Sequence, residues 1–189
     1  HIRVSNPMSL EREWLRKDLR PSLLTALSAN WRHEEGPILL FEMGRGYLPR
    51  AGNLPLERQI AGGVLMGPPA PPSWHAHAGS LAFYDAKGTV EALLRQLHVQ
   101  AQHEPTQEPF FLPGRAARVV AGGEVVDLLG EVHPSVLERF DISGGPVALF
   151  ELDLAALLAA APVGAVRFHR LPRFPGALRD LALLVDLKT

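Results

Sequence analysis

The spacing of hydrophobic positions in this chain changes period several times, and each change marks an element. Leu23, Leu24, Leu27 and Trp31 recur at helical spacing behind Pro21-Ser22. Proline suits a helix's first turn, because the N–H it lacks would find no helical partner there. Residues 38–41 are a short apolar run with strand character. Gly44-Arg45-Gly46 interrupts it, so Tyr47 is expected beyond a bulge or turn. Residues 59–66 are expected to pair with it, weakened by Gly62-Gly63. Four of the five residues 68–72 are proline, which joins neither ladder nor helix. Phe83, Val90, Leu93, Leu94 and Leu97 then share one face of a helix over 84–97. Asp85 sits near its start, where a carboxylate meets free backbone N–H groups. Gly122-Gly123 reads as the turn of a hairpin joining strands 117–121 and 124–132. A short helix over 135–140 is entered through His133-Pro134, followed by a strand over 147–153 and an alanine-rich helix over 155–161. Hairpins interspersed with helices, without βαβ regularity, predict an α+β fold: an antiparallel sheet flanked by helices.

Composition narrows the partners. The 189 residues are 47% hydrophobic and 21% charged, a balance that supports a core. A formal net charge of −1 gives no global basic field, so a polyanion would have to find a local patch. The absence of cysteine excludes disulfides and thiolate metal sites and fits a cytoplasmic setting. No apolar run approaches the roughly 20 residues of a membrane span. Residues 162–175 hold three prolines with Arg167, Arg170 and Arg173 and read as a linker after a core module over 1–161. A strand-like run at 181–185 is expected to open a different domain, and both chain ends are expected to be cuts through a longer polypeptide.

Candidate chemistry is sparse. His75 and His77 are two apart but lack a third ligand at useful spacing, and a closed zinc site needs about four. His133, at a strand-to-helix turn, is either a general base or a residue bonding local backbone; the second reading is favoured because no nucleophile or orienting acid is placed beside it. The glycines at 44, 46, 62 and 63 match no phosphate loop and are expected to serve turns or close packing. Glu42, Glu131, Glu151 and Asp153 lie in or beside strands, and paired carboxylates suit magnesium. Glu151 and Asp153 share one face opposite Phe150, Leu152 and Leu154, which predicts a solvated face. Arg167, His169, Arg170 and Arg173 form the local basic cluster, a candidate contact for RNA phosphates. These residues amount to a soluble α+β domain without a complete active site.

A series of motifs adds to this. Asn6-Pro7 opens it, Leu15-Arg16 through Pro21 to Leu24 follows, then Leu40-Phe41-Glu42-Met43-Gly44-Arg45-Gly46-Tyr47 and Phe83-Tyr84-Asp85-Ala86-Lys87-Gly88. Pro113-Gly114-Arg115, Leu129-Gly130-Glu131-Val132-His133-Pro134, Phe150-Glu151-Leu152-Asp153-Leu154 and Arg179-Asp180-Leu181-Ala182 complete it. Taken in order, they resemble the β subunit family of bacterial phenylalanyl-tRNA synthetases over nearly the whole chain. One departure is Leu112, which stands where that family has histidine before Pro-Gly.

The resemblance implies a class II aminoacyl-tRNA synthetase-like core module over 1–161, the linker over 162–175, and the start of a ferredoxin-like anticodon-binding domain over 176–189. It implies a cytoplasmic (αβ)₂ heterotetramer in which the α subunit uses ATP and magnesium to attach phenylalanine to tRNA(Phe). This module would hold no cofactor of its own. It would be a degenerate relative of the catalytic module, with structural work: Leu23, Leu24, Leu27 and Trp31 are the expected contact with the α subunit. Leu48 and Ala156 fall where the active module carries its phosphate-gripping arginines. Losing one well-placed transition-state donor costs about 2.7–4 kcal/mol, and an aliphatic side chain supplies no replacement. Active adenylation by this piece, or a stand-alone RNA-binding role for Arg167, Arg170 and Arg173, are the alternatives.

Overall fold

A computed structural model describes residues 2–9, 13–34, 36–70, 74, 79–162, 164 and 179–182. Helix α1 (Arg20–Trp31) precedes the hairpin of β1 (Ile38–Leu48) and β2 (Leu56–Met66), followed by helix α2 (Phe83–Gln96). Strands β3 (Gln102–Pro105), β4 (Phe111–Ala121) and β5 (Glu124–Val132), helix α3 (Pro134–Glu138), strand β6 (Val147–Asp153) and helix α4 (Leu154–Ala160) complete the order. The six strands form one antiparallel sheet in the order β1-β2-β6-β5-β4-β3. The expected α+β class is the observed one.

Each face of the sheet buries its own core. On one face Leu23, Leu24 and Leu27 of α1 and Leu137 of α3 pack on Ile60, Val64 and Leu149. On the other, Val90 and Leu94 of α2 and Leu157 of α4 pack on Val119, Leu129 and Leu152. Alternation along β6 divides the labour: Leu149 serves the first face, Ala148 and Leu152 the second.

Several elements depart from the periodic reading. Strand β1 runs straight through Gly44-Arg45-Gly46 to Leu48 in register with β2, so Tyr47 lies within the ladder and not past a bulge. These glycines are there for clearance. A Cβ on Gly46 would strike the Lys17 carbonyl, and one on Gly44 the Arg16 guanidinium. Gly62 and Gly63 act similarly, admitting Leu23 against one face and the Phe150 ring against the other. Strand β4 begins earlier than the apolar run because a register shift between Phe111 and Ala116 absorbs Pro113-Gly114. In α2 the buried stripe is Ala86, Val90 and Leu94, while Leu93 and Leu97 remain exposed. The stripe at i, i+4 and i+8 wins because a small alanine lets the helix sit close to the sheet. The 181–185 run lies largely outside the described residues. No helix among the described residues is long and apolar enough to cross a membrane.

Candidate functional site

Beside the N-terminus of α1 lies a cavity of about 390 Å³, lined by Lys17, Arg20, Arg58, Arg118, Glu151 and Asp153, with Leu48 at its edge. Its arginines are arranged in internal pairs. Glu151, on β6, accepts from the Leu19 N–H at 2.7 Å and from Arg20 Nε at 2.7 Å. Both partners are sheltered, with side chains 9% and 17% exposed. Arg20 also reaches Glu108 at 3.4 Å and lies over the Phe110 ring at 4.8 Å. Burial works against the Arg20 charge, but the carboxylates of Glu151, Asp18 and Glu108 together outweigh it and raise the pKa. Burial lifts the Glu151 carboxyl above its ordinary range, opposed by Arg20 and the Leu19 N–H.

Asp153 is doubly used. Its Oδ2 accepts from Arg58 at 2.9 Å, and its Oδ1 accepts from the N–H groups of Ala155 and Ala156 at 3.0 and 3.1 Å. It is therefore the N-cap of α4 as well as an ion-pair partner. Arg118 is held by Glu104 at 2.7 Å. Lys17 has no carboxylate partner among the described residues. The expectation of a solvated face at Glu151 is corrected here: period two places Glu151 and Asp153 together, but the first turn of α1 covers Glu151.

Asp127 was not anticipated. It is 2% exposed on β5, and neither carboxylate oxygen has a hydrogen-bond partner. Burial pushes its pKa to about 8, and the Glu151 charge adds to the rise. The N–H groups of Leu128 and Glu151 oppose it without completing hydrogen bonds. The available signal was one acid within the apolar run 125–129.

The remaining candidates scatter. His133 is the N-cap of α3: its Nδ1 accepts from the Ser135 N–H at 3.2 Å and lies 2.7 Å from the Ser135 hydroxyl, the backbone-bonding reading. Leu112 and His133 line a separate hollow with Phe111 and Pro109. Glu131 accepts from the Phe83 N–H at 3.2 Å at the start of α2, and Glu42 pairs with Arg16. Among the described residues no cluster of three carboxylates or histidines is placed to hold a metal. His75 and His77 lie outside the described residues, as do Arg167, Arg170 and Arg173.

Of the four α1 positions expected to meet a partner, three are taken up within this chain. Leu23, Leu24 and Leu27 are at most 2% exposed, consumed by this chain's own core. Trp31 is half-buried, with its Nε1 donating to the Asp141 carbonyl at 3.2 Å. Ala156 is half-buried against the second core.

Comparisons with known proteins agree with each other. Residues 1–154 match the family described as phenylalanyl tRNA synthetase beta chain CLM domain. The chain is 37% identical over 185 residues to the phenylalanine–tRNA ligase beta subunit of Dehalococcoides mccartyi, covering 98% of this chain and 23% of that protein. The beta subunit of Geobacillus kaustophilus is 37% identical, again over 98% of this chain and 23% of its own length. That of Symbiobacterium thermophilum is 38% identical, over 98% and 21%. The chain thus spans under a quarter of these relatives. In fold it is similar to a pyrrolysyl tRNA synthetase of Desulfitobacterium hafniense, with a TM-score of 0.55 at 20% identity over 76% of this chain and 48% of that one.

Proposed function

The chain belongs to the family of phenylalanyl-tRNA synthetase beta chains, and from that premise we propose that it is a non-catalytic, synthetase-like module of a phenylalanine–tRNA ligase. One observation carries the reading. The three arginines around the cavity are each answered by a carboxylate of the same chain: Arg20 by Glu151, Arg58 by Asp153, Arg118 by Glu104. A triphosphate entering would meet arginines already paired, with Lys17 the one lining cation left without a carboxylate partner among the described residues, and carboxylates that repel it. Leu48, at the cavity edge, and Ala156, in α4, add no positive charge.

The module's work is then support. It holds a catalytic α subunit and positions neighbouring RNA-binding parts, within an (αβ)₂ assembly that joins phenylalanine to tRNA(Phe) using ATP and magnesium. Core burial of Leu23, Leu24 and Leu27 leaves Trp31 and the outward side of α1 as the part of that helix able to reach the partner. The core module is assigned to 1–161, the linker to 162–175 and the start of an anticodon-binding domain to 176–189; the family match over 1–154 falls within the first of these. Cytoplasmic placement accords with a chain free of cysteine.

Co-elution with a cognate α subunit tests the support role, with a stable complex expected. Calorimetry with ATP and magnesium on the chain tests inertness, with no heat of binding expected; micromolar affinity overturns it. The alternative, tRNA binding through Arg167, Arg170 and Arg173, requires tight and steeply salt-dependent filter binding by this chain alone.

A further inference from the structure

One edge of the sheet carries an apolar surface and a row of open backbone groups on the same residues. The register of β1 on β2 is unbroken from Ile38↔Met66 to Leu48↔Leu56. The Tyr47 N–H donates to the Arg16 carbonyl at 2.8 Å, away from β2, and the Arg45 carbonyl accepts from Arg16 Nε at 3.0 Å. In an antiparallel ladder this outward direction recurs at every second residue. Leu39, Phe41 and Met43 therefore turn their N–H and C=O groups outward, and no partner takes them among the described residues. Their side chains are 59%, 82% and 66% exposed. Behind them an apolar hollow of about 440 Å³ is lined by Phe41, Met43, Leu65, Leu93 and Phe150. An exposed edge with apolar side chains is a template for another strand.

We propose that β1 pairs antiparallel with β1 of a second copy of this chain, about a two-fold axis at Phe41. The ends of the open stretch argue for a second copy over a foreign strand. With Phe41 on its own counterpart, Leu39 meets Met43 of the second copy, and the next outward pair is Pro37 with Arg45. Pro37 has no N–H to give, and the Arg45 carbonyl already has its donor in Arg16. The missing donor thus meets the one carbonyl that needs none. Charge fits as well. Leu39, Phe41 and Met43 bring no charge together, and Glu42, on the opposite face, lies across from Leu40 while neutralised by Arg16. Covering these three side chains removes on the order of several hundred Å² per copy, the size of a weak, reversible interface. The inference stands on this edge alone and is independent of the proposed function.

Sedimentation of the 189-residue chain at about 10 µM and above is expected to give twice the 20.6 kDa monomer. Phe41→Glu and Phe41→Lys should each be monomeric, since each brings like charges face to face. Mixed in equal amounts they should recover the dimer, because only this register sets position 41 against itself. A thermal midpoint equal to that of the parent diluted until it is monomeric excludes unfolding as the cause. Monomeric parent chain at every concentration, a dimer indifferent to Phe41→Glu, or a mixture that stays monomeric would each overturn the pairing. So would a parent chain that stays monomeric yet takes up an added apolar strand peptide at β1.

Discussion

Asp127 sets a pH dependence that no surface residue can. Its carboxyl ionises at 3.8 in the ordinary case and at about 8 in the folded chain, chiefly because it is buried. Between those values the folded state keeps a proton that the unfolded state has lost. The stability contributed by Asp127 is therefore full below about pH 4, declines as pH rises, and levels off above about pH 8. Replacing it by the uncharged isostere, Asp127→Asn, is expected to flatten that decline and leave the variant more stable than the parent at about pH 9. Urea midpoints measured for both proteins across this window decide it, and parallel slopes would refute the assignment. Gly63 makes a second demand at this scale. A Cβ there would stand 2.5 Å from Phe150 Cζ, in a core already filled by that ring. Gly63→Ala should cost about 1–3 kcal/mol by overpacking. Phe150→Leu should cost less in the Gly63→Ala background than alone, a coupling of at least about 0.5 kcal/mol in a double-mutant cycle.

Among elements, the junction of α1 with β6 depends on one sheltered ion pair. Arg20→Met leaves Glu151 covered and unpaired, a loss of about 3–5 kcal/mol for such pairs. Replacing both, as Arg20→Met with Glu151→Leu, should recover much of it in urea denaturation, apart from the bond to the Leu19 N–H. Equal destabilisation by the single and double variants would mean that the pair does not hold the junction. This contact also marks the limit of the sequence reading. Period two located β5 and β6 and put Glu151 and Asp153 on one side, because alternation is a local property of the chain. Which side is wet depends on where α1 lands, 131 residues away in sequence from Glu151. The same limit explains α1, whose leucine spacing predicted a helix but not whether its apolar face meets this sheet or another protein. The first half of strand β4 escaped because a register shift, and not an apolar run, carries it past Pro113-Gly114. Asp127 escaped because a strand pattern treats an acid as polar, whereas its carboxyl is neutral over most of the pH range in which it is buried.

For the whole molecule, a phosphate site needs unspent positive charge and open N–H groups, and here the cavity's arginines and the first N–H groups of α4 have been absorbed into the fold, leaving Lys17 as the lining cation without a carboxylate partner among the described residues. Arg20 and Arg58 answer Glu151 and Asp153, and the first N–H groups of α4 are capped by Asp153. Residues that would have to be free for a ligand now fix α1 to β6, β2 to β6 and the entry to α4. Leu48 and Ala156, which the resemblance sets where an active module carries arginine, are therefore not isolated differences. Placing arginine at both, as Leu48→Arg with Ala156→Arg, adds one cation to the cavity wall and one to the first turn of α4, while Glu151 and Asp153 remain. The new guanidiniums have carboxylates within their reach and no reason to prefer a phosphate in water over a charge already fixed in place. The double variant is expected to fold and still to give no heat of binding with ATP and magnesium. Micromolar binding by it would mean that those two side chains alone separate this module from a nucleotide site, and that the internal ion pairs yield to a ligand more readily than their burial implies.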